Sequence, residues 1–63
     1  MIKYYLGKWG IEQFLWSSDS FSAPSKGDFV FYENELYKVL YVMYDIDHDE
    51  ISVFVRMTVE EDY

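Results

Sequence analysis

The chain has 63 residues, with 12 acidic and 5 basic side chains and a net charge of −7. This length allows one domain, so we expect residues 1–63 to fold as a single unit. With no cysteine and one histidine, disulfide bonds are excluded and a structural zinc site lacks its usual ligands. The acidic excess also argues against direct binding to nucleic acid or to an anionic membrane surface.

The sequence is typical of a soluble cytoplasmic protein. No apolar run follows the early Lys3, so the N-terminal residues are not expected to form a secretory signal. No stretch approaches the roughly 20 apolar residues of a membrane helix, and the lack of cysteine fits a reducing compartment. The aromatic side chains, seven Tyr, five Phe and two Trp, can build a compact core. We expect no cofactor.

The first half of the chain predicts a β-hairpin followed by a loop. Residues 2–6 (IKYYL) suit a strand, and residues 7–10 (GKWG) suit a turn, because a glycine stands at each end. Residues 11–16 (IEQFLW) fit a second strand or a short helix. A helix of under two turns is weak in isolation, which favours the strand. Residues 17–25 are rich in serine and predict a loop.

The second half predicts a three-stranded meander. Residues 29–32 (FVFY) and 36–44 (LYKVLYVMY) are β-branched and aromatic. Between them, residues 33–35 (ENE) form a turn in which Asn34 can adopt a left-handed conformation. Residues 51–58 (ISVFVRMT) alternate in polarity, with Ile51, Val53, Val55 and Met57 on one face and Phe54 on the other.

The middle strand of the meander is apolar on both faces. Strict alternation places one set, Tyr37, Val39, Tyr41 and Met43, opposite a second set, Leu40, Val42 and Tyr44. Such a strand is usually covered on both sides or curled into a barrel. We therefore predict a mainly-β domain, a partly open barrel of about five strands, in which residues 1–16 cover Phe54.

The stretch KGDFVFYENELYKVLYV, residues 26–42, resembles the opening of an SH3-like small barrel, and the likeness extends over residues 26–58. The resemblance implies a small barrel fold and no particular function. The compact, acidic and aromatic-rich character is also similar to that of small phage-encoded proteins that block host enzymes, some by mimicking DNA. That second resemblance implies an inhibitor acting in the cytoplasm of a host cell.

The segment YDIDHDE, residues 44–50, concentrates carboxylates. As a calcium loop it places Asp45, Asp47 and Asp49 at positions 1, 3 and 5, but Glu50 replaces the required Gly and Arg56 replaces the final Glu. An EF-hand is therefore excluded. A looser site for a divalent cation stays open, and so does the plain interpretation of a solvated hairpin loop.

The sequence does not predict an enzyme. His48 is the only imidazole, and no pattern places a serine beside it together with an orienting acid. A barrel of this size, filled by its own side chains, leaves little room for a pocket that would separate the pKa values of two carboxylates. We accordingly assign no catalytic and no metal-binding residues.

Charge is distributed unevenly along the chain. Residues 1–27 carry three lysines against two acids, whereas residues 28–63 carry ten acids against Lys38 and Arg56. If a strand runs on through residues 45–49, its alternate carboxylates lie about 6.6–6.8 Å apart and could occupy alternate phosphate positions in a DNA-binding groove. The acids that could extend this row are Asp28, Glu33, Glu35, Glu60, Glu61 and Asp62. Charge alone does not distinguish such a mimic from acids that keep an apolar protein soluble.

The favoured hypothesis is a small acidic inhibitor that covers a basic surface of a host protein acting on nucleic acid. Acids would steer association, and exposed aromatic residues would anchor it. The expected binding residues are Asp45, Asp47, Asp49, Glu50, Glu33, Glu35, Trp9 and Tyr44. Two alternatives stay open: a structural module that self-associates through an exposed strand edge, and a regulator that binds a divalent cation.

Overall fold

The chain forms one five-stranded sheet in a computed structural model that describes residues 1–19 and 22–62. The elements are β1 (Ile2–Leu6), β2 (Gln13–Ser18), β3 (Phe29–Tyr32), β4 (Glu35–Asp45), β5 (Glu50–Met57) and a 3-10 turn (Glu60–Asp62). Across the sheet the order is β2-β1-β5-β4-β3. Strands β1 and β5 are parallel, and the other neighbouring strands are antiparallel. The sheet curls into a half-barrel, which confirms the predicted mainly-β, partly open barrel.

The turn between β3 and β4 is tighter than the sequence predicted. Tyr32 pairs with Glu35, so only two residues separate the strands. Both have positive φ, 48° at Glu33 and 65° at Asn34, as a type I′ hairpin turn requires. The left-handed conformation expected of Asn34 is confirmed, whereas Glu35 already belongs to β4.

Strand β2 lies two residues beyond its predicted position, and the helix alternative for residues 11–16 is wrong. The intervening loop, residues 7–12, is longer than the predicted turn and includes Glu12, whose carboxylate accepts a hydrogen bond of 2.7 Å from the Gly10 N–H. Gly7 and Gly10 have φ values of 104° and 99°, which residues with a Cβ rarely adopt.

The described residues contain no helix long and apolar enough to cross a membrane.

A bulge in β4 changes which side chains share a face. The register shifts between Val39 and Tyr41, so Val39 pairs with Val55 while Val42 pairs with Val53. The faces predicted by strict alternation are therefore wrong beyond Leu40, because one extra residue reverses the side-chain order. Val39 and Val42 both point into the half-barrel, whereas Tyr41 points to the second face.

The core lies on the inner face of the half-barrel. Its buried residues are Ile2, Tyr4, Val39, Val53 and Val55. Trp16 of β2 stacks on Tyr4 at 4.5 Å and on Tyr32 of β3 at 3.9 Å between ring centroids. Since β2 and β3 are the two edges of the sheet, this ring contact closes the half-barrel across its opening.

Phe54 forms the centre of a second packed layer on the outer face. It is 1% exposed, and the rings of Tyr5 and Tyr41 stack beside it at 5.4 and 4.8 Å. Trp9 from the loop of residues 7–12 packs against it at 6.4 Å. The prediction that residues 1–16 cover Phe54 is confirmed, with Tyr41 of β4 contributing to the cover.

Candidate functional site

Trp9 is held in place on the outer face yet remains accessible. Its backbone N–H donates a hydrogen bond of 2.6 Å to the hydroxyl of Tyr41, and its ring meets Phe54 nearly edge to face, at an interplanar angle of 77°. The side chain is nevertheless 67% exposed. A fixed, exposed indole is a typical anchor for a binding partner, because little entropy is lost when it is covered.

The acidic segment folds as the tip of the β4–β5 hairpin. Asp45 pairs with Glu50 as the last rung of the ladder, and residues 46–49 form the turn, with Asp49 at a φ of 53°. Strand β4 therefore ends at Asp45. The carboxylates at 45, 47 and 49 do not form a row along one strand, so the regular spacing invoked for DNA mimicry is not present.

Exposed apolar side chains surround this tip. Ile46 is 85% exposed and Tyr44 is 66% exposed. Two grooves of about 340 Å³ each lie on either side of the hairpin and share Tyr44, Asp45 and Ile46 in their walls. The groove on the outer face is completed by Trp9, and we call it the Trp9 groove. The hairpin surface, as we use the term, consists of Trp9, Tyr44, Asp45, Ile46, Asp47 and Asp49.

His48 fixes one of the carboxylates of this surface. Its ring Nδ1 lies 2.9 Å from Oδ2 of Asp45, and its backbone N–H donates to Oδ1 at 3.3 Å. The hydrogen bond from the His48 ring lowers the pKa of Asp45 below its ordinary value. Asp45 is thus kept ionised and oriented without a lysine or arginine partner.

Lys3 engages another predicted binding residue. Its Nζ lies 2.9 Å from Oε2 of Glu50, and this hydrogen bond raises the pKa of Lys3. In contrast, the carboxylates of Asp47 and Asp49 make no ion pair or hydrogen bond within the described residues. The carboxylates of the hairpin that have no partner among the described residues are therefore those of Asp47 and Asp49.

The remaining two predicted acids lie far from the hairpin tip. Glu33 lies in the turn before β4 and Glu35 begins that strand, whereas the hairpin tip follows its end. Ten residue steps along an extended strand correspond to roughly 33 Å. The structure thus joins Trp9 and Tyr44 with the acids at 45–49 and leaves Glu33 and Glu35 at the opposite end.

A second group of acids and bases lies where β5 ends. The Arg56 guanidinium donates to both carboxylate oxygens of Asp62, at 2.9 and 2.7 Å. The Val59 N–H donates to the same carboxylate at 2.8 Å, and Lys38 approaches it to 3.8 Å. These groups hold the pKa of Asp62 far below its usual range, with the Arg56 hydrogen bond as the main cause. We call Arg56, Asp62 and Lys38 the C-terminal ion cluster.

Three contributors to the Trp9 groove were not predicted from the sequence: Met43, Ile46 and Ser52. Ile46 carried a signal, since it is the one aliphatic residue within an otherwise polar turn. Met43 and Ser52 pair with each other across β4 and β5, beyond the bulge. Their position depends on a register that alternation alone does not give.

No group of three or more His, Cys, Asp or Glu side chains placed to hold a metal ion occurs among residues 1–19 and 22–62. Comparisons with protein-family models, with curated proteins and with solved structures found no match to this chain. The small β half-barrel and its hairpin surface are therefore the basis for any statement about function.

Proposed function

We propose that the chain is a non-enzymatic protein-binding module whose hairpin surface docks on a basic protein. The observation that carries this proposal is the coincidence of exposed apolar side chains with unneutralised acids at one end of the sheet. Trp9, Tyr44 and Ile46 are all more than 60% exposed. Trp9 shares its groove with Asp47, and Asp49 lines the groove on the other side of the hairpin. Glu50 and Asp62, in contrast, are neutralised by the chain's own bases.

The two kinds of side chain would have different tasks. Desolvated Trp and Tyr side chains contribute most of the binding energy in many interfaces. Exposed carboxylates mainly accelerate encounter with a cationic partner, an effect that falls as salt rises. The partner surface that matches both is one with lysine or arginine side chains next to an apolar patch.

In its narrower form, the proposal is a small inhibitor, of the kind that phages encode, acting in the cytoplasm of a host cell. Proteins that bind DNA or RNA present lysine and arginine to the phosphate backbone. A compact chain with a net charge of −7 could occupy that surface and displace the nucleic acid. The carboxylates would act as a cluster at a hairpin tip, not as an evenly spaced row.

The test compares two variants that each remove two charges. Asp47→Asn with Asp49→Asn alters the hairpin surface, and Glu33→Gln with Glu35→Gln alters the other end of β4. Immobilised proteins are incubated with lysate of the cell in which the chain is made, at low and high salt, and retained proteins are identified by mass spectrometry. The identified partner is then purified, and its association rate is measured for all three proteins.

We expect a basic partner that is retained by the wild type and by the Glu33/Glu35 variant, and that is released at high salt. For the Asp47/Asp49 variant we expect an association rate about tenfold lower at low salt, and a weaker dependence on salt. Equal loss in both variants would show that only total charge matters and would contradict the proposal. An association rate that is the same for the wild type and both variants would also contradict the proposal.

A second function, self-association through β3, is favoured by a separate observation. This edge strand exposes Phe29 by 46% and Phe31 by 68%. An exposed apolar edge can pair with the same edge of another copy. Light scattering over a wide concentration range tests this function, with Phe31→Lys as the disrupting variant. A monomer at all concentrations would exclude it.

A further inference from the structure

We infer that the Trp9 groove receives a single arginine side chain of the partner; the inference rests on the proposed function and specifies its central contact. At about 340 Å³, the groove is at the lower limit of the roughly 300–1,000 Å³ of small-molecule pockets. That volume suits one long side chain. The groove also combines the three kinds of surface that an arginine side chain contacts favourably: an aromatic wall, an apolar wall and acidic residues.

The aromatic wall is the indole of Trp9. A guanidinium stacks on an indole through cation–π attraction, and it keeps its in-plane N–H donors available while stacked. The backbone of Trp9 is tied to the Tyr41 hydroxyl at 2.6 Å, and its ring rests on Phe54. The indole is therefore in position before a ligand arrives, which reduces the entropy lost on binding.

The acidic residues of the groove are Asp45 and Asp47, which both line it. His48 orients Asp45 from the side of the turn, with its ring nitrogen 2.9 Å from Oδ2. Asp47 has no ion pair within the described part of the chain. A cation in the groove would thus meet one fixed and one unpartnered carboxylate, a match of charge that excludes an anionic or a purely apolar occupant.

The apolar wall accommodates the rest of the side chain. Met43 and Ile46 line the groove, and they match the three methylenes of an arginine stem, which readily covers apolar surface. A lysine would share this contact and the charge. Its ammonium, however, is a compact and strongly hydrated charge that lacks a flat face to lay against the indole, so arginine is the better occupant.

The experiment titrates the isotope-labelled protein with three blocked tripeptides, acetyl-Gly-X-Gly-amide, in which X is arginine, lysine or citrulline. Citrulline has nearly the shape of arginine and no charge. NMR spectra report the indole N–H of Trp9 and the backbone amides of Asp47 and Ser52. We expect saturable shifts at these signals with the arginine peptide, about threefold tighter than with lysine, and no saturable shift with citrulline.

Substitutions identify the side chains that bind the arginine peptide. Trp9→Leu and Asp47→Asn are each expected to weaken the arginine peptide by about threefold or more, whereas Glu33→Gln with Glu35→Gln leaves the groove signals and their affinity unchanged. Equal affinity for citrulline, equal affinity for lysine, or undiminished binding by Trp9→Leu would each overturn the inference.

The titration and the capture experiment fail separately. If a basic partner depends on Asp47 and Asp49 while the arginine peptide leaves Trp9 unshifted, the arginine inference is wrong and the proposed function stands. If the peptide binds in the groove and no captured partner depends on these acids, the proposed function is wrong, and only the preference of the groove for an arginine side chain is supported.

Discussion

The two ends of the β4–β5 pair treat their charges in opposite ways. At one end, the C-terminal ion cluster surrounds Asp62 with Arg56, Lys38 and the Val59 N–H. At the other end, in the hairpin surface, Asp47 and Asp49 are left without a partner among the described residues. Asp62 has a side chain only 7% exposed. The first arrangement stabilises the fold, whereas the second leaves negative charge available to another molecule.

Net charge alone therefore does not locate the acids that a protein leaves available to a partner. Five bases cannot neutralise twelve acids, and what matters is which acids they reach. Lys3 pairs with Glu50, while Arg56 and Lys38 are used at the far end of the sheet. At the hairpin tip, Asp47 and Asp49 remain unneutralised beside the exposed Tyr44 and Ile46. Glu33 and Glu35, beside the exposed Phe31, also lack an ion pair among the described residues.

The largest effect is expected from Trp16, and its contrast with Trp9 extends the comparison from charge to packing. Trp16→Ala removes the ring that stacks on Tyr4 and Tyr32 and closes the half-barrel. We expect it to destabilise the fold by about 3 kcal/mol, enough to unfold much of a domain this small. Trp9→Ala is the matched control and is expected to cost about 1 kcal/mol or less, because that side chain is mostly solvated.

Urea unfolding followed by far-UV circular dichroism measures both variants. Two midpoints that fall by the same amount would mean that Trp9 is a structural residue. Its place in the hairpin surface would then have to be abandoned.

The next effect concerns the C-terminal ion cluster. Asp62→Asn removes the charge and one of the two acceptor oxygens of a bidentate arginine contact, and we expect the Tm at pH 7 to fall by several degrees. The pKa of Asp62 is depressed in the folded chain. Its contribution is therefore complete above the ordinary aspartate pKa and is lost as the pH falls from about 5 downward.

The variant should accordingly show a flatter decline of Tm in acid than the wild type. Glu61→Gln, an exposed neighbour in the same 3-10 turn, controls for the loss of one charge and should keep the wild-type profile. Parallel acid profiles for the wild type and Asp62→Asn would show that Asp62 does not stabilise the fold through its ionised form.

Much of the fold could be predicted from local patterns, whereas the assembly of the site could not. Residues 2–6 and 29–32 form strands with the predicted bounds, and Asn34 adopts the left-handed conformation. These features depend on β-propensity and turn chemistry, which act over a few residues. Gly7 and Gly10 predicted a turn, but they did not predict that the loop containing this turn folds back over the outer face.

The contact between Trp9 and Tyr41 spans 32 residues, and it depends on the bulge near Leu40, which turns Tyr41 to the outer face. One inserted residue reverses the predicted side-chain order of β4. No local pattern announces such an insertion in an apolar strand, because both faces carry similar residues. The Lys3–Glu50 pair likewise requires β1 to lie beside β5, which is a choice of topology and not of local sequence.

The smallest effect is expected where the hairpin surface loses charge. Asp47→Asn with Asp49→Asn removes two carboxylates that neutralise nothing in the described chain, and asparagine tolerates the positive φ of 53° at residue 49. We expect the Tm to stay within a few degrees of the wild type and to rise slightly at low salt, since repulsion among neighbouring acids decreases. The rise should vanish at high salt, where exposed charges are screened.

Thermal unfolding at low and high salt measures this small effect. The control is Glu33→Gln with Glu35→Gln, which removes the same number of charges at the other end of β4. A marked fall in Tm for the hairpin pair alone would mean that these carboxylates hold the turn together and are not available to a partner. A preserved Tm, combined with a slower association rate, would place the function of Asp47 and Asp49 in binding. The stabilising acid would then be Asp62, at the other end of the same two strands.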